Sequence, residues 1–184
     1  INFGIQFTHL NFSGRRDRLL LIAQYGYTRK YGVQYTLPYF NRSQTLGIDG
    51  TLSFSQNREV TYSSEENKQV FYRNEDNRFT YQQFLLSLDF SYRPRFYRFH
   101  NLELAFTQRW VDDQIAGELN PDFFLDGRNR QRALTLAYRF TFDRRDVQAY
   151  PLQGAYLEAA LTKTGLGAFS DRNALGAELS VSYT

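Results

Sequence analysis

Apolar residues recur at every second position over stretches of ten or more residues, and few folds accept that pattern. Phe84, Leu86, Leu88, Phe90 and Tyr92 alternate with Leu85, Ser87, Asp89, Ser91 and Arg93. Leu134, Leu136, Tyr138, Phe140 and Phe142 alternate with Ala133, Thr135, Ala137, Arg139 and Thr141. Leu175 to Tyr183 and Tyr31 to Tyr39 behave the same way. A helix would place Asp89 and Arg139 inside its apolar stripe, whereas a strand sends alternate side chains to opposite faces. The chain is therefore all-β, with one apolar and one polar or small face.

Roughly nine strands follow from the alternation, near 2–11, 17–27, 30–40, 45–57, 80–93, 100–112, 131–145, 154–164 and 173–184. Most reach about ten residues, long for a soluble strand and long enough for a tilted strand to cross a bilayer. Short turns are expected at Ser13–Arg16, Asn41–Gln44, Pro94–Phe99 and Tyr150–Gln153, and long polar segments at Arg58–Phe79 and Asp113–Arg130. Short turns at one end and long loops at the other are the asymmetry of an outer-membrane barrel, turns periplasmic and loops extracellular. Arg58–Phe79 is expected to be mobile.

Composition fits the strand reading: 17% of the 184 residues are aromatic and only four are proline. Tyr25, Tyr27, Tyr31 and Trp110 fall near the loop side, and Tyr39, Phe40, Tyr92, Phe96, Tyr97, Phe142 and Tyr150 near the turn side. Two interfacial girdles would distribute them so. The competing architecture, a soluble sandwich or lipocalin-like barrel, turns its apolar face inward. Alternation does not say which face is inside; strand length, loop asymmetry and aromatic placement favour the membrane barrel.

Chemistry-bearing constellations are sparse. Cysteine is absent, which removes disulfides, thiolate metal sites and cysteine nucleophiles. The two histidines, His9 and His100, have no serine partner that suggests a hydrolytic site. Glu65-Glu66, Glu75-Asp76 and Asp112-Asp113 lack calcium-loop spacing and read as solvated loop charge. The net charge of +3 comes without any long basic run, so no nucleic-acid arm is present. Mid-strand Asp49, Asp89, Glu103, Arg139, Glu158 and Glu178 read as structural charges facing a lumen. Neither a catalytic residue nor a cofactor or metal is implied.

Two stretches are more specific. Asn11-Phe12-Ser13-Gly14-Arg15-Arg16-Asp17-Arg18-Leu19 is followed by Leu37-Pro38-Tyr39-Phe40, and Phe142-Asp143-Arg144-Arg145-Asp146 by Tyr150-Pro151-Leu152-Gln153-Gly154. They resemble the barrel of the outer-membrane protein insertase superfamily, which holds BamA- and TamA-type barrels and two-partner secretion transporters. The first family pattern reads N-x-x-G-x-G-D-x-L, and here arginine replaces its second glycine. The second pattern is intact in Asp143, Arg145, Asp146, Pro151 and Gly154. The resemblance implies a partial barrel, matching the second to tenth of sixteen strands, without POTRA domains. The odd strand count, and the alternation already running at Ile1 and still running at Thr184, lead to the expectation that residues 1–184 form part of one larger barrel. The implied function is folding and insertion of outer-membrane proteins in the bacterial outer membrane. Lipid, unfolded client proteins and accessory subunits are the expected partners. Translocation of other proteins, secretion of one dedicated partner, and passive diffusion remain alternatives.

Overall fold

The computed structural model describes residues 1–183. Its strands are β1 (Asn2–Leu10), β2 (Arg18–Gly26), β3 (Thr28–Leu37), β4 (Leu46–Asn57), β5 (Glu59–Glu65), β6 (Lys68–Arg73), β7 (Tyr81–Arg95), β8 (Arg98–Val111), β9 (Arg130–Asp143), β10 (Ala155–Thr164) and β11 (Ala174–Tyr183). Nine of them form one antiparallel sheet in the order β1-β2-β3-β4-β7-β8-β9-β10-β11. Every neighbour in that sheet is the next sheet strand along the chain, the up-and-down order of a barrel wall. The sheet is open, with β1 and β11 at its edges. Among the described residues no helix is long and apolar enough to cross a membrane, which says nothing of crossing by strands.

Burial decides between the two architectures left by the sequence. Along β7, Leu86, Leu88, Phe90 and Tyr92 are exposed while Ser87 is 7% exposed. On β8, Leu102 and Leu104 are exposed while Ala105 is 8% exposed. The register carries this across the sheet: Leu52, Leu86, Phe106 and Leu134 lie in one row, and Thr51, Ser87, Ala105 and Thr135 in the next. The enclosed face is thus small and polar, and the open face is apolar. A soluble sandwich buries the opposite face; a membrane barrel gives its apolar face to lipid.

Three sequence expectations need correction. Arg58–Phe79 is not an unstructured loop: β5 and β6 form a hairpin with a bulge between Thr61 and Ser63. Tyr62, Tyr72 and Phe71 give that segment strand-forming side chains, which its charged residues disguise in the sequence. Asp113–Arg130 holds a π-helical turn, Ile115–Leu119, and it buries Ile115, Ala116 and Phe124. Pro94–Phe99 is not all turn: β7 continues through Pro94 to Arg95, leaving Phe96-Tyr97 as a two-residue link. A register shift between Tyr92 and Arg95 accommodates the proline, which has no N–H for the ladder.

The hydrophobic core lies at the loop end rather than under the sheet. Val111, Ile115, Ala116 and Phe124 form its centre, and Val60, Tyr62, Tyr72, Tyr81 and Phe123 pack around them. Asn120 Nδ2 donates to the Tyr62 carbonyl at 2.6 Å, Tyr72 Oη to Gln114 Oε1 at 2.7 Å, and Asn74 Nδ2 to Asp112 Oδ2 at 2.9 Å. The β5–β6 hairpin and the β8–β9 connection therefore build one packed cap.

Candidate functional site

The motif residues concentrate in the turns. Asp17 ends the β1–β2 turn and is 1% exposed. The Ser13 N–H donates to both of its carboxylate oxygens, at 2.9 and 3.0 Å. Burial pushes this carboxyl up, but hydrogen bonds from Ser13 and Tyr35 outweigh burial and hold it at about 2. Gly14 sits at φ 81, a left-handed conformation that costs glycine little. Arg16 occupies the position of the missing second glycine and adopts φ 62. The chain keeps the turn geometry there with a side chain that disfavours it.

In the β3–β4 turn, Pro38 comes close to Gly47. A Cβ on Gly47 would stand 2.5 Å from the Pro38 carbonyl oxygen. Asn41, absent from the sequence candidates, holds this turn by accepting the Thr45 and Leu46 N–H groups at 2.9 and 3.0 Å. An asparagine at the head of the Asn41-Arg42-Ser43-Gln44 turn is the available signal.

The β9–β10 turn carries the second motif. Asp146 Oδ1 accepts the N–H groups of Val147, Leu152 and Gln153 at 2.8, 3.0 and 3.2 Å. Those bonds, the Gln153 N–H first, hold its carboxyl below the usual range. Pro151 lies inside the loop that Asp146 closes. Gly154 has φ 126, and a Cβ there would meet the Arg144 carbonyl oxygen and stand 2.7 Å from the Arg145 Cα. Arg145 donates bidentately to Asp143, Nε at 2.9 Å and Nη2 at 2.8 Å.

That pair opens a chain of contacts along the enclosed face. The Arg145 guanidinium lies 4.4 Å over the Tyr156 ring. Tyr156 Oη donates to Glu158 Oε2 at 2.9 Å, and Arg139 Nε is 3.8 Å from Glu158 Oε1. Four side chains on β9 and β10, with Arg145 in the turn between them, thus connect the turn motif to the mid-strand charges. Tyr156 is absent from the sequence candidates; β10 places it opposite Asp143, a pairing that only the ladder register reveals.

The remaining mid-strand charges form a second group. Asp49, Asp89 and Glu103 stand side by side in one row on β4, β7 and β8. Directly opposed like charges repel. Asp49 accepts Gln34 Nε2 at 3.2 and 3.1 Å and is also bonded by the Thr36 hydroxyl. Arg139 supplies the nearby positive charge, in the row of Asn101 and Ala160. Glu178 lies in that row on edge strand β11 and is exposed; among the described residues it has no ion pair. No group of three or more acidic, His or Cys side chains among the described residues could hold a metal ion. The arrangement offers polar lining and turn closure.

On the open face, aromatics gather toward the turn end. His100 packs against Tyr92, Phe140 and Tyr138 with ring centroids 5.8, 5.0 and 6.2 Å apart. His100 Nδ1 lies 2.7 Å from Tyr138 Oη.

Comparison with known proteins agrees with this architecture. No curated protein matches the sequence. Among solved structures, the chain resembles BamA from Haemophilus ducreyi lacking POTRA domains 1–3, with a TM-score of 0.59 and 13% identity. The match covers 91% of this chain and 33% of that one, so the present chain spans about a third of the matched structure. At that identity the likeness shows a shared fold: an open antiparallel sheet matching part of a BamA barrel. A family profile, the Omp85 superfamily domain, matches residues 11–184. Barrels of this kind reside in the outer membranes of bacteria or organelles and are generally non-enzymatic. With nearly the whole chain covered by that profile, and with a sheet that encloses its polar face, the protein belongs to the Omp85 superfamily.

Proposed function

We propose that residues 1–184 are a wall segment of one outer-membrane barrel whose intact protein folds and inserts other outer-membrane proteins in bacteria. The observation that carries this reading is the nine-stranded wall with a polar enclosed face and the likeness of its fold to a BamA barrel. A client strand must have its backbone hydrogen bonds satisfied before it enters lipid, and a barrel with a separable seam offers them by strand addition. In this reading the wall described here supports the seam, and Gly14, Asp17, Pro38, Asp143, Arg145, Asp146, Pro151 and Gly154 fix the turns that set its curvature. Asp49, Asp89, Glu103, Arg139, Glu158 and Glu178 line the lumen. The partners are membrane lipid, unfolded client proteins and accessory subunits.

Depletion of the intact protein tests this. Insertion activity predicts a fall in the folded, heat-modifiable forms of many unrelated outer-membrane proteins. Loss of a single exported protein would instead assign a two-partner secretion role, and loss of one translocated class a TamA-type role. Normal assembly with reduced small-solute permeability would assign a diffusion pore.

A further inference from the structure

On the open face of β8 and β9, the paired residues run Leu104 with Leu136, then Phe106 with Leu134, then Gln108 with Arg132, then Trp110 with Arg130. The face changes from apolar to polar in one step toward the loop end. In a membrane wall that step marks the headgroup boundary of the adjoining leaflet, where amphipathic Trp and Arg side chains settle. Directly beyond the step is a recess of about 780 Å³ whose lining includes Trp110, Gly117, Arg128, Arg130, Arg132 and Asp171.

The lining of this recess carries three arginines, Arg128, Arg130 and Arg132, beside two aspartates, Asp113 and Asp171. Asp171 lies 3.5 Å from Arg132 Nε and 3.6 Å from Arg128 Nη1, and it also accepts the Arg132 backbone N–H at 2.7 Å. Burial pushes the Asp171 carboxyl up, but the Arg132 backbone N–H and the nearby Arg132 and Arg128 guanidiniums outweigh it and hold it below the usual range. The recess's second carboxylate, Asp113, accepts from Asn129 Nδ2 at 2.6 Å. Arg130 is exposed and has no ion pair among the described residues. The buried Nε of Arg132 faces Asp171 at 3.5 Å without the geometry of a hydrogen bond. Arg128 also reaches Asp126 at 3.9 Å, so Arg132 shares its one carboxylate with Arg128 and Arg130 is left without an ion pair among the described residues.

We propose that this recess binds the phosphorylated headgroup of a lipid in the leaflet on the loop side, with the acyl chains lying down the Phe106–Leu134 row. Guanidinium forks match phosphate oxygens bidentately. The volume suits a headgroup rather than a bare ion. The position selects a lipid over a soluble anion, because the recess opens on the outward face beside the apolar band. The site depends on family membership and the resulting lipid contact of that face; it is independent of insertase activity.

Trp110 is the only tryptophan in the sequence and lies in the recess, so it reports occupancy. The intact protein, with any tryptophan outside these residues replaced, is reconstituted in phosphatidylcholine vesicles. Quenching of Trp110 by acyl-brominated phosphatidic acid is compared with quenching by acyl-brominated phosphatidylcholine. Phosphatidic acid is expected to quench at a several-fold lower mole fraction. Arg130→Gln and Arg132→Gln should each reduce the preference about fivefold, the effect of one basic residue at a membrane surface. Glu178→Gln, on the opposite face, should leave it unchanged. Equal quenching by the two lipids in the unaltered protein overturns the site, whether or not the variants fold. Loss of the preference in millimolar inorganic phosphate would reassign the recess to a soluble anion and overturn the lipid assignment.

Discussion

Arg16 and Gly154 show how turn geometry can be held with and without glycine. Arg16 adopts φ 62 in an exposed turn. Glycine there would relieve about 1–2 kcal/mol of left-handed strain and cost about 0.5–1 kcal/mol in unfolded-chain entropy. Arg16→Gly should therefore stabilise the intact protein by about 0.5–1 kcal/mol, read as a later denaturant midpoint of its heat-modifiable form. Gly154→Ala should destabilise it by about 1–3 kcal/mol, because the new Cβ meets backbone on top of an unfavourable φ. The Asp17 carboxyl, held at about 2, contributes stability that is complete above the ordinary carboxylate range and is lost as pH falls from about 4 toward 2. Asp146 is depressed as well and adds to the same acid limb. Following the folded fraction between about pH 5 and pH 2 should show that limb, and Asp17→Asn should flatten it. At this scale the family resemblance of the two motifs singled out Asp17, Asp143, Arg145, Asp146 and Gly154. It did not reveal Asn41 or Tyr156, whose roles depend on how the chain returns and which residue faces which across the ladder.

The strands were legible because alternation reports one face of a sheet whatever lies beyond it. The cap was not. Val60, Tyr62 and Phe71 are spaced among Glu59, Glu65, Glu66, Lys68 and Arg73, so the apolar signal is diluted. Its core also joins segments separated by β7 and β8, a pairing that no local pattern encodes. Ile115 is fully buried at the centre of that cap. Ile115→Ala should cost about 2–5 kcal/mol of cap stability and leave the nine-stranded sheet intact. Hydrogen exchange is the measurement: amides of β5 and β6 should lose protection while those of β7 to β9 keep theirs. In the unaltered protein, added protease on intact cells should cut an engineered site at Glu66-Asn67, the exposed hairpin tip with φ 49 and 62, and should spare Val60–Tyr62.

For the whole molecule, the decisive contact is that of the apolar face with lipid. Spin labels at Leu136 and Arg139 should separate cleanly, Leu136 accessible to oxygen and Arg139 to a water-soluble relaxant. Equal accessibility would refute the membrane wall. Leu136→Arg should cost about 2–4 kcal/mol near the midplane. Strand length and loop asymmetry pointed to this architecture, but the inverted burial of Ser87 against Leu86 could be read only from the folded sheet. One feature of the cap bears on how such a wall moves. At the loop end, ties reach across several strands: Tyr27 to Glu59, Asn74 to Asp112, Asn120 to Tyr62, and Asp171 to Arg132. At the turn end, the bonds of Asn41 and Asp146 stay inside single turns, and Asp17 adds to its own turn only Tyr35 on the adjacent β3. A wall fastened this way is stiff at one rim and compliant at the other. Any change in its curvature would pivot about the loop rim and splay at the turns, as a folding fan opens from its rivet.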